Sequence, residues 1–142
     1  MKKESTKESQ RIILYDTTLR DGAQTYGISF SLQDKIRIAR ELDKLKIDYI
    51  EGGWPGSNPK DNIFFSEIRK TELQYAKIAA FGSTKRPHFS FENDDLLQAL
   101  VNSRAPTLTI VAKTWDFHVE KALGISLDEN RELIYGTIAY LK

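Results

Sequence analysis

Cysteine is missing from all 142 residues, which excludes disulfides, thiolate nucleophiles, iron–sulfur ligation and any cysteine-based zinc site. Metal ligation is left to Asp, Glu, Asn and just two His. An excess of charge is missing too: 21 Lys+Arg stand against 20 Asp+Glu, a net +1 that gives no general pull toward nucleic acid or anionic membrane. No 18-residue apolar run occurs, and the first ten residues have no apolar leader-like stretch, so no membrane span is expected and a cytoplasmic protein is. Residues 1–10 have almost nothing apolar to offset the entropy of ordering them, which predicts a flexible, solvated arm.

What is present reads as one domain over residues 11–142, with enough apolar residues (40%) for a real core. The run Ile12-Ile13-Leu14-Tyr15 predicts a buried strand that empties into a polar loop. Ser31 as N-cap and Asp34 in the first turn begin a helix with Leu32, Ile36, Ala39, Leu42 and Leu45 inward and Lys35, Arg37, Arg40 and Asp43 on the other faces. Residues 48–51 form a second strand, and Asn58-Pro59 reads as N-cap and N1 of a helix through Phe64, Phe65 and Ile68. A third strand is predicted over 76–81, then a helix over 94–101 capped by Asn93 or Ser90, with Leu96, Leu97 and Leu100 inward. Residues 107–112 are rich in β-branched side chains and give the clearest strand. Ser126-Leu127-Asp128-Glu129 is a capping box opening a last helix that uses Leu133, Ile134, Ile138 and Leu141. Four strand-then-helix units make an α/β fold with parallel strands, compatible with an open sheet or an arc of a barrel.

In such folds ligands bind at the carboxyl ends of strands. The first such end offers Asp16, Arg20, Asp21 and Gln24 within nine residues. An aspartate there can ligate a hard cation and an arginine beside it can stabilise a developing enolate or carboxylate oxygen. Equally, Asp16 and Asp21 can serve as turn or cap residues and Arg20 as half of a surface ion pair. The second end carries Glu51 and a glycine-rich loop with Trp54, which lacks both phosphate-binding glycine fingerprints. The third and fourth supply Ser83, Thr84, Lys85 and Arg86, then Lys113, Thr114, Trp115, Asp116 and His118. Lys113 and His118 could move protons or steer an anion, whereas Lys85-Arg86 reads more simply as a solvated cationic pair.

The order of these residues carries more than their types. Ile13-Leu14-Tyr15-Asp16-Thr17-Thr18-Leu19-Arg20-Asp21-Gly22-Ala23-Gln24 resembles the opening motif of the pyruvate-carboxyltransferase-like, or DRE-TIM metallolyase, superfamily. Asp48, then Glu51-Gly52-Gly53-Trp54-Pro55-Gly56-Ser57-Asn58-Pro59-Lys60-Asp61, narrows the resemblance to its citramalate synthase branch. Phe81-Gly82-Ser83-Thr84, Lys113-Thr114-Trp115-Asp116-Phe117-His118-Val119 and Ala122-Leu123-Gly124 are similar to that branch in the expected order.

The resemblance implies a partial TIM barrel of about four βα units, residues 11–142 being the N-terminal half of a (β/α)8 catalytic domain. It implies an acyltransferase of branched-chain amino-acid, especially isoleucine, biosynthesis, in which acetyl-CoA condenses with pyruvate to give (R)-citramalate and CoA. A divalent metal, Mg2+ or Mn2+, binds and polarises the 2-oxo acid in that family. By motif position Asp21 matches the metal-ligating aspartate and Arg20 the catalytic arginine that stabilises oxygen charge, with Arg20, Gln24 and Glu51 as substrate-binding positions. Trp54 and Asn58 match branch positions on the same face.

The chain also departs from the pattern. The family barrel has eight βα units, and its metal site draws on a later His-x-His pair and a downstream asparagine, which neither His88 nor His118 matches. Tyr26 stands where the branch more often has glutamate. The expectation is a synthase fragment inactive alone, completed by a homo-oligomer or a complementary barrel half. A non-catalytic α/β binding or structural domain is the alternative.

Overall fold

Four parallel strands alternate with helices in the computed structural model, which describes residues 11–142; the arm expected over residues 1–10 lies outside the described residues. The strands are β1 (Tyr15–Asp16), β2 (Tyr49–Gly53), β3 (Lys77–Ser83) and β4 (Thr107–Val111), in spatial order β1-β2-β3-β4. Crossovers α1 (Leu32–Lys44), α2 (Pro59–Ile68) and α3 (Asp95–Asn102) join them. After β4 a short turn of helix α4 (Asp116–His118) widens into a π turn (Val119–Leu123) before α5 (Leu127–Leu141).

Local chemistry sets the helix starts where the sequence puts them. Ser31 and Asp34 form a capping box on α1, Ser126 and Glu129 another on α5, and Asn58 caps α2 with Pro59 at its first turn. For α3 the cap is Asp94 rather than Asn93 or Ser90: its carboxylate accepts from the N–H groups of Leu96 and Leu97 and also pairs with Arg86. The core lies on the helical side of the sheet, where Ile50, Ile78 and Ala80 meet Phe64, Phe65, Ile68, Leu97 and Leu100.

Three burial expectations are overturned. Ile12, Ile13, Leu14 and Tyr15 are 79%, 61%, 49% and 40% exposed, because β1 is an edge strand reduced to two residues and none of the described elements packs outside it. Leu45 is exposed at the C-cap of α1, and Ile138 is exposed on α5, whose inward face holds Asn130, Leu133 and Thr137. Conversely Lys35 and Asp43, assigned to the outer faces of α1, are both buried.

The sheet is strongly curved. Three strand spacings in a flat sheet separate β1 from β4 by roughly 14 Å, yet the Tyr15 hydroxyl lies 2.6 Å from Thr109 Oγ1 on β4. The arrangement is an arc of a barrel, with a helix-covered convex side and an open concave side.

Asp43 accepts hydrogen bonds from three consecutive backbone N–H groups, those of Gln74, Tyr75 and Ala76, at 2.7–2.9 Å, fastening α1 to the approach to β3. Burial works to raise its pKa, but the N–H donors of Ala76, Gln74 and Tyr75 prevail and hold it below the usual value. Its stabilisation is therefore present above about pH 4 and lost as pH falls through the lower folded value. Asp43→Asn, which cannot accept all three bonds, is expected to cost about 1–3 kcal/mol near neutrality in urea unfolding. The variant should also show a shallower loss of stability below about pH 4 than the parent chain.

Candidate active site

Thr17, just after β1, offers its carbonyl to the N–H groups of Arg20, Asp21 and Gly22, which folds the loop into a tight turn. Asp16 belongs to this turn: its carboxylate accepts from Thr18 N–H and Thr18 Oγ, a local use that matches the turn-residue reading. Arg20 and Asp21 thereby emerge together at the carboxyl end of the parallel strands.

Arg20 is held from three sides. Its Nε donates to Glu51 Oε1, its NH1 donates to Asp21 Oδ1 at 2.9 Å, and its guanidinium lies 4.0 Å from the centroid of the Phe81 ring. Glu51 is 1% exposed, and its second oxygen accepts from the Tyr15 hydroxyl at 2.6 Å. Partial burial of the phenol end, followed by the hydrogen bond to Glu51, pushes the Tyr15 phenol up to about 12. Tyr15, Glu51, Arg20 and Thr109 thus form one polar network on the concave face.

Arg20 and Gln24 open onto a cavity of about 410 Å3 between the loops after β1 and β2, shared with Phe30, Trp54, Asn58 and Lys60 among others. Glu51 does not line it: both its oxygens are engaged by Arg20 and Tyr15, so it reaches the cavity through Arg20. The Asp21 side chain is 60% exposed beside the cavity. Tyr26 is fully exposed and lies outside the cavity lining.

The remaining strand-end residues do not join this network. Lys85 Nζ donates to the carbonyls of Arg86 and Phe89, and Arg86 pairs with Asp94 and Asp95, so these two cations form internal contacts rather than a solvated pair. The Lys113 carbonyl accepts from Asn130 Nδ2, while exposed His118 packs against Trp115. Asn130 Oδ1 is buried without a hydrogen-bond partner among the described residues.

Reading the sequence did not single out Tyr15, Phe81, Thr109, Lys35 or Asp61 as site residues. Period-two alternation puts a signal on the strand residues, since those sharing a face with Glu51 build the concave wall. For Lys35 the signal is its spacing, three residues after Leu32 and four before Ala39, which places it on the apolar stripe.

A divalent cation such as Mg2+ takes about six oxygen ligands. Among the described residues there is no group of three or more His, Asp or Glu arranged to hold one, and Asp21 contributes a single exposed carboxylate. These residues do not make a self-sufficient metal site.

A model of the family described as HMGL-like matches residues 11–142. The chain is similar to the (R)-citramalate synthase of Geobacter sulfurreducens, with 58% identity over 129 residues, covering 91% of this chain and 24% of that protein. It is also similar to the (R)-citramalate synthase of Aquifex aeolicus, 51% identical over 94% of this chain and 25% of that protein. A more distant relative is the 2-isopropylmalate synthase of Pelotomaculum thermopropionicum, 36% identical over 85% of this chain and 23% of that protein. The chain therefore spans about a quarter of the length of these curated relatives. Among solved structures it resembles hydroxymethylglutaryl-CoA lyase from Pseudomonas aeruginosa with a TM-score of 0.65 and 19% identity, covering 92% of this chain and 42% of that one, a likeness of fold.

Tyr15→Phe is expected to leave Glu51 Oε2 without its donor and to cost about 1–3 kcal/mol in denaturant unfolding. Because the folded phenol titrates at about 12 against an ordinary 10.0, its stabilisation is complete below the ordinary value and disappears as pH rises through the folded one. The alkaline fall in stability should be correspondingly smaller in Tyr15→Phe, measured by urea midpoints across that window.

Proposed function

The chain belongs to the HMGL-like family, and on that premise we propose that it forms the substrate-activating half of an (R)-citramalate synthase-type barrel, joining acetyl-CoA to pyruvate. The observation that supports this most is the state of Arg20. A guanidinium has five N–H donors, and the bonds to Glu51 and Asp21 engage Nε and NH1, leaving donors for a ligand in the cavity it lines. A carboxylate or a ketone oxygen gaining negative charge is the ligand such a fork suits. Gln24 lines the same cavity and offers an amide to the bound 2-oxo acid. Glu51 contributes to binding by fixing the guanidinium plane. Asp21 supplies one ligand to a divalent cation, with the other ligands coming from a complementary barrel half.

That half also covers the open concave face and the two exposed sheet edges. Residues 11–142 are, in this reading, the first four βα units of the barrel, and the chain alone does not turn over. The role fits transferase chemistry in branched-chain amino-acid biosynthesis, in line with the relatives at 46–58% identity.

Replacing the matched segment of the Geobacter sulfurreducens enzyme with this chain tests the proposal. The chimera is expected to release CoA from acetyl-CoA in a pyruvate- and Mn2+-dependent way, whereas the isolated chain releases none. Arg20→Lys in the chimera is expected to lower kcat by about 100- to 1,000-fold, the usual cost of one transition-state donor. A folded chimera with no pyruvate-dependent turnover, or one indifferent to Arg20 and Asp21, would overturn the assignment.

A further inference from the structure

Two successive glycines at the end of β2 face the same side of the sheet. A Cβ on Gly52 would overlap the Phe64 ring, and one on Gly53, at φ +149°, would overlap the Asp61 carboxylate. In a regular strand successive residues face opposite ways. Here the register passes from Glu51↔Ala79 to Gly53↔Ala80, so two residues of β2 oppose one of β3 and the strand is bulged. The extra residue returns Trp54 to the side of Glu51. Its ring meets Phe81 edge-on at 5.2 Å between centroids, and Phe81 is the ring that carries the Arg20 guanidinium.

Two buried charges hold this bulge. Lys35 Nζ crosses from α1 to donate to Gly52 O at 2.8 Å and to Asp61 Oδ1 at 2.5 Å, passing 5.3 Å from the Phe64 ring centroid. Asp61 Oδ2 accepts from the Trp54 backbone N–H at 2.9 Å. The side chains of Lys35 and Asp61 are only 7% and 10% exposed. Burying such a pair costs several kcal/mol of desolvation per ion, and apolar replacements of similar volume are often as stable or more so. Stability alone does not account for the pair, whereas its two bonds to the bulge backbone, at Gly52 O and Trp54 N–H, do.

We propose that the Lys35–Asp61 pair is a positioning device that locks the Gly52-Gly53 bulge and so aims Trp54 at Phe81, fixing the wall of the Arg20 cavity. It rests on the proposed function only for what that cavity binds. Lys35 and Asp61 also lie in the floor of that cavity, but with their charged atoms spent on each other and on the backbone at Gly52 and Trp54 they are positioning residues, acting through the loop after β2.

The test is optical and needs no substrate. In a Trp115→Phe parent, Trp54 is the remaining one of two tryptophans. Lys35→Met with Asp61→Leu, added to that parent, is expected to retain its far-ultraviolet circular dichroism. The same double variant should shift Trp54 emission to the red, weaken the near-ultraviolet band, and speed exchange of the Trp54 backbone amide by about 10- to 100-fold, the loss of one charge-assisted hydrogen bond. A folded double variant whose Trp54 emission and amide exchange equal those of the parent overturns the proposal. Should the double variant not fold, the parent decides: its Trp54 amide is expected to exchange at least about 10-fold more slowly than an open chain, and exchange at the open-chain rate overturns the clamp. A Trp54 response together with a silent chimera would remove the synthase reading and leave the clamp standing.

Discussion

A carboxylate at 1% exposure has to find partners for both oxygens, since an ion withdrawn from water and left unpaired costs several kcal/mol. Glu51 finds them in Arg20 and Tyr15, and much of the concave face follows from that requirement. Arg20 is drawn down from the loop after β1 onto the end of β2. Tyr15 is drawn across to β4, where its hydroxyl also meets Thr109, so one phenol stitches the first strand to the fourth. The curvature of the sheet and the placement of the guanidinium are two consequences of satisfying one acid.

The second strand therefore divides two buried ion pairs. Glu51–Arg20 lies on the concave side and Lys35–Asp61 on the helical side, where the closed barrel interior and the helix interface are ordinarily filled by branched apolar residues. Both pairs converge on the Trp54-Phe81-Arg20 cluster, one through the guanidinium and the other through the backbone of the loop. Two charged pairs bracketing a five-residue strand make its carboxyl end a rigid platform, the requirement for presenting donors to a ligand without reorganisation.

Much of this was legible in the residues. The caps Ser31, Asn58 and Ser126 carry their own signal because each side-chain oxygen satisfies a nearby backbone N–H, independently of tertiary context. The pairing of Arg20 with Asp21 follows from their adjacency and the turn around Thr17. The burial of Lys35 and Asp43 was not legible from residue type, because charge argues for solvent while position on the helix argues for the core. Position prevailed because partners from distant parts of the chain were waiting, Asp61 for Lys35 and the 74–76 backbone for Asp43. The exposed run Ile12 to Leu14 fails in the opposite direction: a strand-like pattern states what a segment can pair with, and here only one neighbour is among the described strands.

The same logic separates what the arc can accomplish from what it leaves open. Its convex side is finished, with aromatic and aliphatic side chains of α2 and α3 closed over Ile50, Ile78 and Ala80. Its concave side is polar at the centre and open at both edges, with the segment Ile12 to Tyr15 exposed at the β1 edge and Val111 exposed on β4. Filling that side with apolar layers would demand a covering half simply to keep the arc folded, because an exposed apolar sheet face is an aggregation hazard. A network of Tyr15, Glu51, Arg20 and Thr109 tolerates water at its margin while keeping the buried acid paired. Tyr15, Glu51, Arg20 and Thr109 thus remain organised by contacts internal to the arc, and the cavity beside Arg20 is shaped by the arc alone.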